Sequence, residues 1–426
     1  MWTILAATVT TRPEENVAEG FPDRGFKAYW SAIGVSQFGT AVSMVTIPMV
    51  AVLTIGATPG QMTWLVVMEL APAMLAGVPA AAWADTLHRR LPPLIGCNVV
   101  QALVVGAIPL LWWLGSLNYP ALLALVGVSS LVRGLQSALS SPILVQIVPR
   151  EHLVDANGKT NATRGVADIG GPAAGGMLMA VLAAPLVVLA DALSFLLSAA
   201  LLTRVRTPPP SERAPRERSR GTLGEVVRLA RALGRRSGVQ ALATLCVAQG
   251  IMQPILVLFL VRELGLGPAP IGLLLGLGAV GGVGGGLLLG RVIGRHGPGR
   301  TLALGTAVSM CSLLALPFSA PGVSGAAAVV LFELAGSLGG TVMAATVYGT
   351  LQSAAKDGEV AKVMALAGTF LQVGGLVGSF AGGALATAFG LRAAAGTAAA
   401  LMPLLLLPQL VRWYTARWRI DTATIG

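Results

Sequence analysis

The chain has 426 residues, of which 54% are hydrophobic and only 11% charged. Soluble domains carry about 25% charged residues, so a chain this poor in charge has no means of covering a water-facing surface. Its apolar residues come in blocks of about 20, the length a helix needs to cross roughly 30 Å of hydrocarbon, without the period-2 alternation of a membrane β-barrel. The net charge is +11. Its basic residues fall between the apolar blocks, so membrane topology accounts for them better than nucleic acid, which is not predicted as a partner.

In chain order, residues 1–26 hold a short apolar stretch after Met1 with no basic region ahead of it, then the polar run Arg12–Arg24. They read as a cytoplasmic N-terminal segment rather than a cleaved leader. Six candidate spans follow at 27–52, 61–83, 92–114, 120–147, 159–182 and 185–204, forming a first bundle over 27–204. Residues 205–237 read as a basic linker, since Arg204–Ser237 contains Pro208-Pro209-Pro210 and ten arginines. Within it, Leu223–Leu233 has the apolar spacing of a helix lying on a membrane surface. Six more spans at 239–261, 270–290, 300–318, 325–351, 362–386 and 393–413 make a second bundle over 238–413, followed by a cytoplasmic tail at 414–426. The predicted fold class is therefore an all-α membrane protein, with twelve transmembrane helices in two pseudo-symmetric six-helix bundles.

Loop charges set the orientation. Arg89, Arg90, Arg150, Lys159, Arg164, the linker, Arg291, Arg295, Arg300, Lys356, Lys362, Arg412, Arg417 and Arg419 all fall on one side; Arg262 and Arg392 are the exceptions. The positive-inside rule then places both termini in the cytoplasm, in an inner (plasma) membrane protein of multiple passes. The halves also echo each other. Ala81-x3-Asp85-x3-Arg89-Arg90 after span two has a counterpart after span eight, and the loop Pro149–Asn157 has one in Lys356–Lys362, each offset by about 205 residues.

The motifs resemble those of the major facilitator superfamily over nearly the whole chain. Asp85, Arg89 and Arg90 match the loop 2–3 signature, with Ala81 in place of Gly and Thr86 in place of the first Arg. The resemblance implies a cytoplasmic latch in which Asp85 faces the start of span eleven, and the loss of Arg at 86 either weakens the latch or moves the pairing to Arg89. Leu131-Val-Arg133-Gly-Leu-Gln136-Ser is similar to the intramembrane Arg-x2-Gln-Gly signature and implies proton coupling through Arg133; an ion pair that only orders the bundle is the alternative. Gly171-Pro172-Ala-Ala-Gly175-Gly176 matches the core of the exporter signature of span five. Span eight carries Gly278, Gly282, Gly286, Gly290 and Gly294 at four-residue spacing, and the family arrangement implies that spans five and eight pack here and close the outer side. Val148–Asn157 resembles the loop of the branch containing enterobactin-type siderophore exporters and macrolide-efflux pumps. That branch usually has Gly-Asp in span one, where this chain has Gly39-Thr40.

Other polar groups inside the spans are costly in hydrocarbon and are candidate sites for that reason. Glu69 and Glu333 lie near mid-span and rank first as proton or cation sites, followed by Asp168 one turn before Pro172. Asp191 lies nearer the outer surface, where water can solvate it. Gln37, Gln249, Gln253 and Gln372, with Tyr29, Trp30 and Trp64, can offer contacts to a substrate or serve in packing. Three cysteines lie far apart within apolar runs, and three histidines form no metal-like spacing, so no metal, disulfide framework or cofactor is predicted. No Gly-x4-Gly-Lys-(Ser/Thr) marks an ATP-driven pump, and no catalytic cluster marks an enzyme. The expectation is a monomeric secondary transporter that exports amphipathic small molecules (a siderophore, antibiotic or other natural product) by proton antiport with alternating access. The alternatives are an importer or facilitator of a small metabolite, and a non-transporting receptor.

Overall fold

A computed structural model describes residues 24–205, 237–355 and 360–415. The expected N-terminal segment, most of the basic linker with its surface helix, Lys356 and most of the tail lie outside the described residues. Among those described, the chain forms twelve helices. The first half contains α1 (Arg24–Met49), α2 (Pro59–Thr86), α3 (Leu91–Trp113), α4 (Tyr119–Ile147), α5 (Leu153–Met179) and α6 (Ala184–Leu202). The second half opens with α7 (Ser237–Arg262). Pro268–Leu314 is continuous in hydrogen bonding but turns at Gly297, whose φ of 75° is left-handed, so it is two helices, α8 (268–296) and α9 (298–314). Next come α10 (Val323–Ala354), α11 (Val360–Phe389) and α12 (Leu391–Thr415).

Local chemistry sets the ends. Thr58 and Gln61 form a reciprocal capping box with Pro59 at the first helical position of α2, and the Asn118 side chain caps α4. α1 relaxes after Pro48 into a π-helical turn at Val50–Thr54, because proline offers no N–H to the carbonyl four residues back. α2 bends by 45° between Gly77 and Pro79. α5 starts at Leu153, earlier than the sequence suggests: most of Pro149–Asn157 is a 3-10 turn and the first turns of α5 rather than a loop. Ala156 is fully buried there and Leu153 packs on the same core as Phe26 and Leu202, so tertiary contact extends the helix beyond its apolar block.

Each half repeats one packing scheme. α1 packs on α5 and α6, α2 on α4, and α3 on α4 and α6; correspondingly α7 packs on α11 and α12, and α8 and α9 on α10. The halves meet along two seams, α5 with α8 and α2 with α11. These seams exchange when the halves are exchanged, as a two-fold repeat requires. Both close at the far end, the end with loops 55–58, 114–118, 180–183, 263–267 and 315–322. There the Gly176 backbone meets that of Gly272, with a Cβ at 176 falling 2.7 Å from the Gly272 Cα. At the other seam Thr63 lies against Gly383, its hydroxyl 3.3 Å from the Ser379 carbonyl, and Trp64 meets Phe380 edge-on at 5.5 Å. Arg262 adds a tie by donating to the Ala57 carbonyl across the halves at 2.9 Å.

The glycine face of α8 differs from expectation. Gly272 and Gly276 meet α5, whereas Gly278 and Gly282 face Glu333 and Thr341 of α10, and Gly286, Gly290 and Gly294 have open space beside them. Helical geometry explains this: residue 278 lies about 200° around the axis from residue 276. A Gly272→Val substitution should weaken the far-end closure by roughly 1–3 kcal/mol, as overpacking does. Spin-label distances across α5 and α8 would lengthen in that variant, whereas Gly286→Val would leave them unchanged.

Candidate functional site

Between the halves lies a cavity of about 630 Å³, within the range that small-molecule sites occupy. It runs from mid-helix toward the near end, the end where α1 begins, with Gly77 and Ala81 of the bent α2 along its wall. Its lining is mostly apolar, with Glu69, Arg133 and Asp168 as the ionisable groups and Gln37, Thr40, Ser43, Ser137, Gln253 and Gln372 as neutral polar ones.

The Arg133 side chain is held by α2. Gly134 lets α4 approach until its Cβ position lies 2.9 Å from the Ala73 carbonyl. The Ser130 hydroxyl then bridges α2, accepting from the Ala73 N–H at 3.2 Å and donating to the Glu69 carbonyl at 2.6 Å. Arg133 Nη2 donates to that same carbonyl at 3.2 Å. The Arg133 guanidinium also interacts electrostatically with the carboxylates of both Glu69 and Asp191. Gln136, one turn on, points instead toward α3 and meets Gln101 at 3.5 Å. Asp168 faces the cavity with Arg164 one turn before it, and its backbone carbonyl lacks the usual intrahelical donor because Pro172 has no N–H.

A family model described as Major Facilitator Superfamily matches residues 29–378 and 242–422. The chain belongs to that superfamily. It is a multi-pass membrane transporter of the superfamily's small-molecule type. No protein of curated function matches its sequence. Among solved structures, a mutant of the nucleoside transporter NupG aligns with a TM-score of 0.74 at 11% identity, covering 92% of this chain and 100% of that one. A bacterial homologue of the iron transporter ferroportin, inward-facing, aligns at 0.71 and 17% identity, covering 92% and 99%. A bacterial homologue of the human lysosomal transporter Spinster, inward-facing and unoccupied, aligns at 0.65 and 16%, covering 95% of each chain.

The remaining predicted residues of this transporter divide by position. Glu333 does not line the cavity; its carboxylate packs against Gly278, near Ser337, between α8 and α10. Gln249 lies near Gly336 of α10, apart from Gln37, Gln253 and Gln372. Asp191 is 3% exposed, not solvated: its carboxylate lies 2.8 Å from where a Gly39 Cβ would stand, with Thr40, Ser43 and Ser194 around it. The absent side chain at Gly39 lets α6 press that acid against α1. Tyr29 is buried and donates to the Ser140 carbonyl at 3.0 Å, Trp30 donates to Thr163 at 2.8 Å, and Trp64 belongs to the α2–α11 seam, so all three serve packing. Asp85 pairs with Arg90 at 3.1 Å rather than with Arg89, because Arg90 folds back and its Nε donates to the Ala84 carbonyl. Within Gly171–Gly176, Gly171 and Gly175 meet α1 and Gly176 meets α8. Ser130 has no motif of its own; a serine one turn before an intramembrane arginine was the available signal.

The shared geometry of Arg133 and Glu69 is open to a double-mutant cycle. Thermal unfolding of Arg133→Ala, Glu69→Gln and the double variant should give a coupling of roughly 0.5–3 kcal/mol. The same cycle with Glu333→Gln should be additive.

Proposed function

We propose that this transporter exports amphipathic small molecules by proton antiport, and that Glu69, Arg133 and Asp168 carry the coupling. The observation that carries this reading is their convergence on one cavity. A charge near mid-membrane is costly and is retained where it faces water, a partner or a substrate. Glu69 and Arg133 share the α2–α4 contact, so a proton gained by the carboxylate alters what the guanidinium must balance. The mostly apolar wall with Gln37, Gln253 and Gln372 suits a ligand with a large apolar body and a few hydrogen-bonding groups.

Direction rests on the Gly171–Gly176 signature and on the resemblance of Val148–Asn157 to the loop of the siderophore and macrolide exporters. With basic loops inside, the near end faces the cytoplasm of a plasma membrane, and the cavity is in the inward-open phase of alternating access. Cargo then enters from the cytoplasm or the inner leaflet. It leaves when the α5–α8 and α2–α11 seams part at the far end and the near end closes, with Asp85 and Arg90 beside the closing surface.

In everted vesicles, an imposed proton gradient should drive uptake of a fluorescent amphipathic dye, and a protonophore should abolish it. Glu69→Gln, Arg133→Ala and Asp168→Asn should each lose the gradient-driven component while eluting as folded protein in detergent. Undiminished proton-driven transport by all three would refute the coupling assignment, and dye entry down its own gradient without proton exchange would identify a facilitator. For orientation, Ser116→Cys should react with a membrane-impermeant maleimide added to intact cells, and His88→Cys should react only after permeabilisation.

A further inference from the structure

α5 and α6 both pack on α1 but hardly on each other, which leaves a groove on the outer flank of the first bundle. It holds about 450 Å³, with Gly34, Phe38 and Val42 of α1 as its floor, Leu178 of α5 on one side and Leu193 and Leu197 of α6 on the other. The floor residues stand on the face of α1 opposite Thr40, Ser43 and Ile47, so the groove is turned away from the central cavity and toward hydrocarbon. Leu193 and Leu197 remain 62% and 52% exposed there. Among the lining residues only Ser194 is polar, and its hydroxyl is spent on the Asp191 carbonyl of its own helix at 2.7 Å. The groove therefore selects for hydrocarbon.

Cations stand at its mouth. The same stripe of α1 leads toward the near end to Lys27, and that of α6 leads to Arg204, just past the helix end. Each lies one heptad, about 10 Å of helix rise, beyond Gly34 or Leu197. The antiparallel register that sets Gly39 against Asp191 and Ser194 brings Lys27 level with Arg204, and Phe26 shares a core with Leu202 and Val205 at that level. Both cationic side chains are exposed, and among the described residues neither forms an ion pair. Trp30, which donates to Thr163, and Thr163, which lies against Gly34, close the α5 side above the groove. The α6 side, where the two cations are, stays open.

We propose that this flank binds an anionic phospholipid, with its phosphate between Lys27 and Arg204 and one acyl chain in the groove. Such a lipid carries charge and then hydrocarbon along the membrane normal, in the order that the two cations and the groove present them. Basic side chains beside the membrane attract anionic headgroups, and the groove gives that attraction a fixed position. A second copy of the chain fits worse, because a two-fold contact would set concavity against concavity and the same cations against each other. With the basic loops in the cytoplasm, the lipid belongs to the inner leaflet. Its binding depends neither on the cargo nor on how transport is coupled.

The test is thermal unfolding of the purified full-length protein in detergent, titrated with dioleoylphosphatidylglycerol or with dioleoylphosphatidylcholine. Phosphatidylglycerol should raise the unfolding temperature in a saturable way and at lower concentration, since a ligand specific to the folded state stabilises by mass action. Lys27→Gln combined with Arg204→Gln should weaken apparent affinity for phosphatidylglycerol by roughly 30-fold, the attraction of two surface cations, and leave phosphatidylcholine unchanged. Ala190→Phe, which fills the groove from α6, should weaken both lipids. As a readout that needs no variant, phosphatidylglycerol with a diazirine in its acyl chain should label Phe38, Leu193 or Leu197 on illumination. Equal affinity for the two lipids, or a preference that survives in the double variant, would overturn the site. So would the same loss in Arg291→Gln combined with Arg295→Gln, which would show general attraction to a basic surface. Labelling confined to other helices, or a dimer that Ala190→Phe disrupts with no lipid label in the groove, would overturn it as well.

Discussion

The arrangement depends on how closely two helix backbones can approach in lipid. Hydrocarbon gives apolar helices no reason to leave it for one another, so association rests on van der Waals contact, and that contact is closest where side chains are absent. Gly176 and Gly272 supply it at one seam, and Gly383 beside Thr63 supplies it at the other. Exchanging the halves turns the α5–α8 seam into the α11–α2 seam, so one rule operates twice at the far end. Arg262 reinforces it from the second half by donating to the Ala57 carbonyl in the loop between α1 and α2. Toward the near end the pattern stops: Gly286, Gly290 and Gly294 meet nothing within 4 Å, and the space between the halves widens into the cavity.

That geometry makes the charges in the cavity tolerable. A guanidinium in the hydrocarbon layer is costly in isolation, but Arg133 stands at a water-accessible wall and spends a donor on the Glu69 carbonyl. The Ser130 bridge matters because Pro72 lies in the same turn of α2 and removes one backbone donor, so side-chain groups from α4 supply hydrogen bonds at a weakened stretch of helix. A substrate-sized space is thus built where the helix is least regular, and the bend before Pro79 opens it toward the near end.

Much of this was legible in the sequence, and the limits have a common origin. Apolar block lengths and loop charges located twelve helices, including α5, whose Asp155, Lys159, Arg164 and Asp168 make it polar for a membrane helix, and separated the two helices that meet at Gly297. Arg133, Glu69 and Asp168 were found because ionisable residues in hydrocarbon are conspicuous. What the sequence left open was rotation about each helix axis. Glycines at four-residue spacing share a face, but nothing in the spacing says whether α5 or α10 occupies it, and the face that meets α5 carries Gly272 and Gly276 instead. Depth along α6 suggested that water reaches Asp191, whereas the contact with Gly39 on another helix buries it. The preference of Asp85 for Arg90 over Arg89 turns likewise on a side chain folding back to Ala84.

The two halves share a packing scheme but divide the chemistry unequally. The acids that line the cavity or lie just behind its wall, Glu69, Asp168 and Asp191, belong to the first half, as does Arg133. The second half contributes Gln253 and Gln372 to the cavity, while Glu333 is turned away against α8. Under the proposed coupling, changes in charge therefore act first within one bundle. To reach the other they must pass through elements common to both, and α2 is the clearest candidate: Glu69 is in its middle, Thr63 and Trp64 are in its seam with α11, and its bent end borders the cavity. A shift of α2 driven by Arg133 would reach the far-end closure without any charged group crossing between the halves, because the seam to be opened lies fewer than two turns from Glu69 on the same helix.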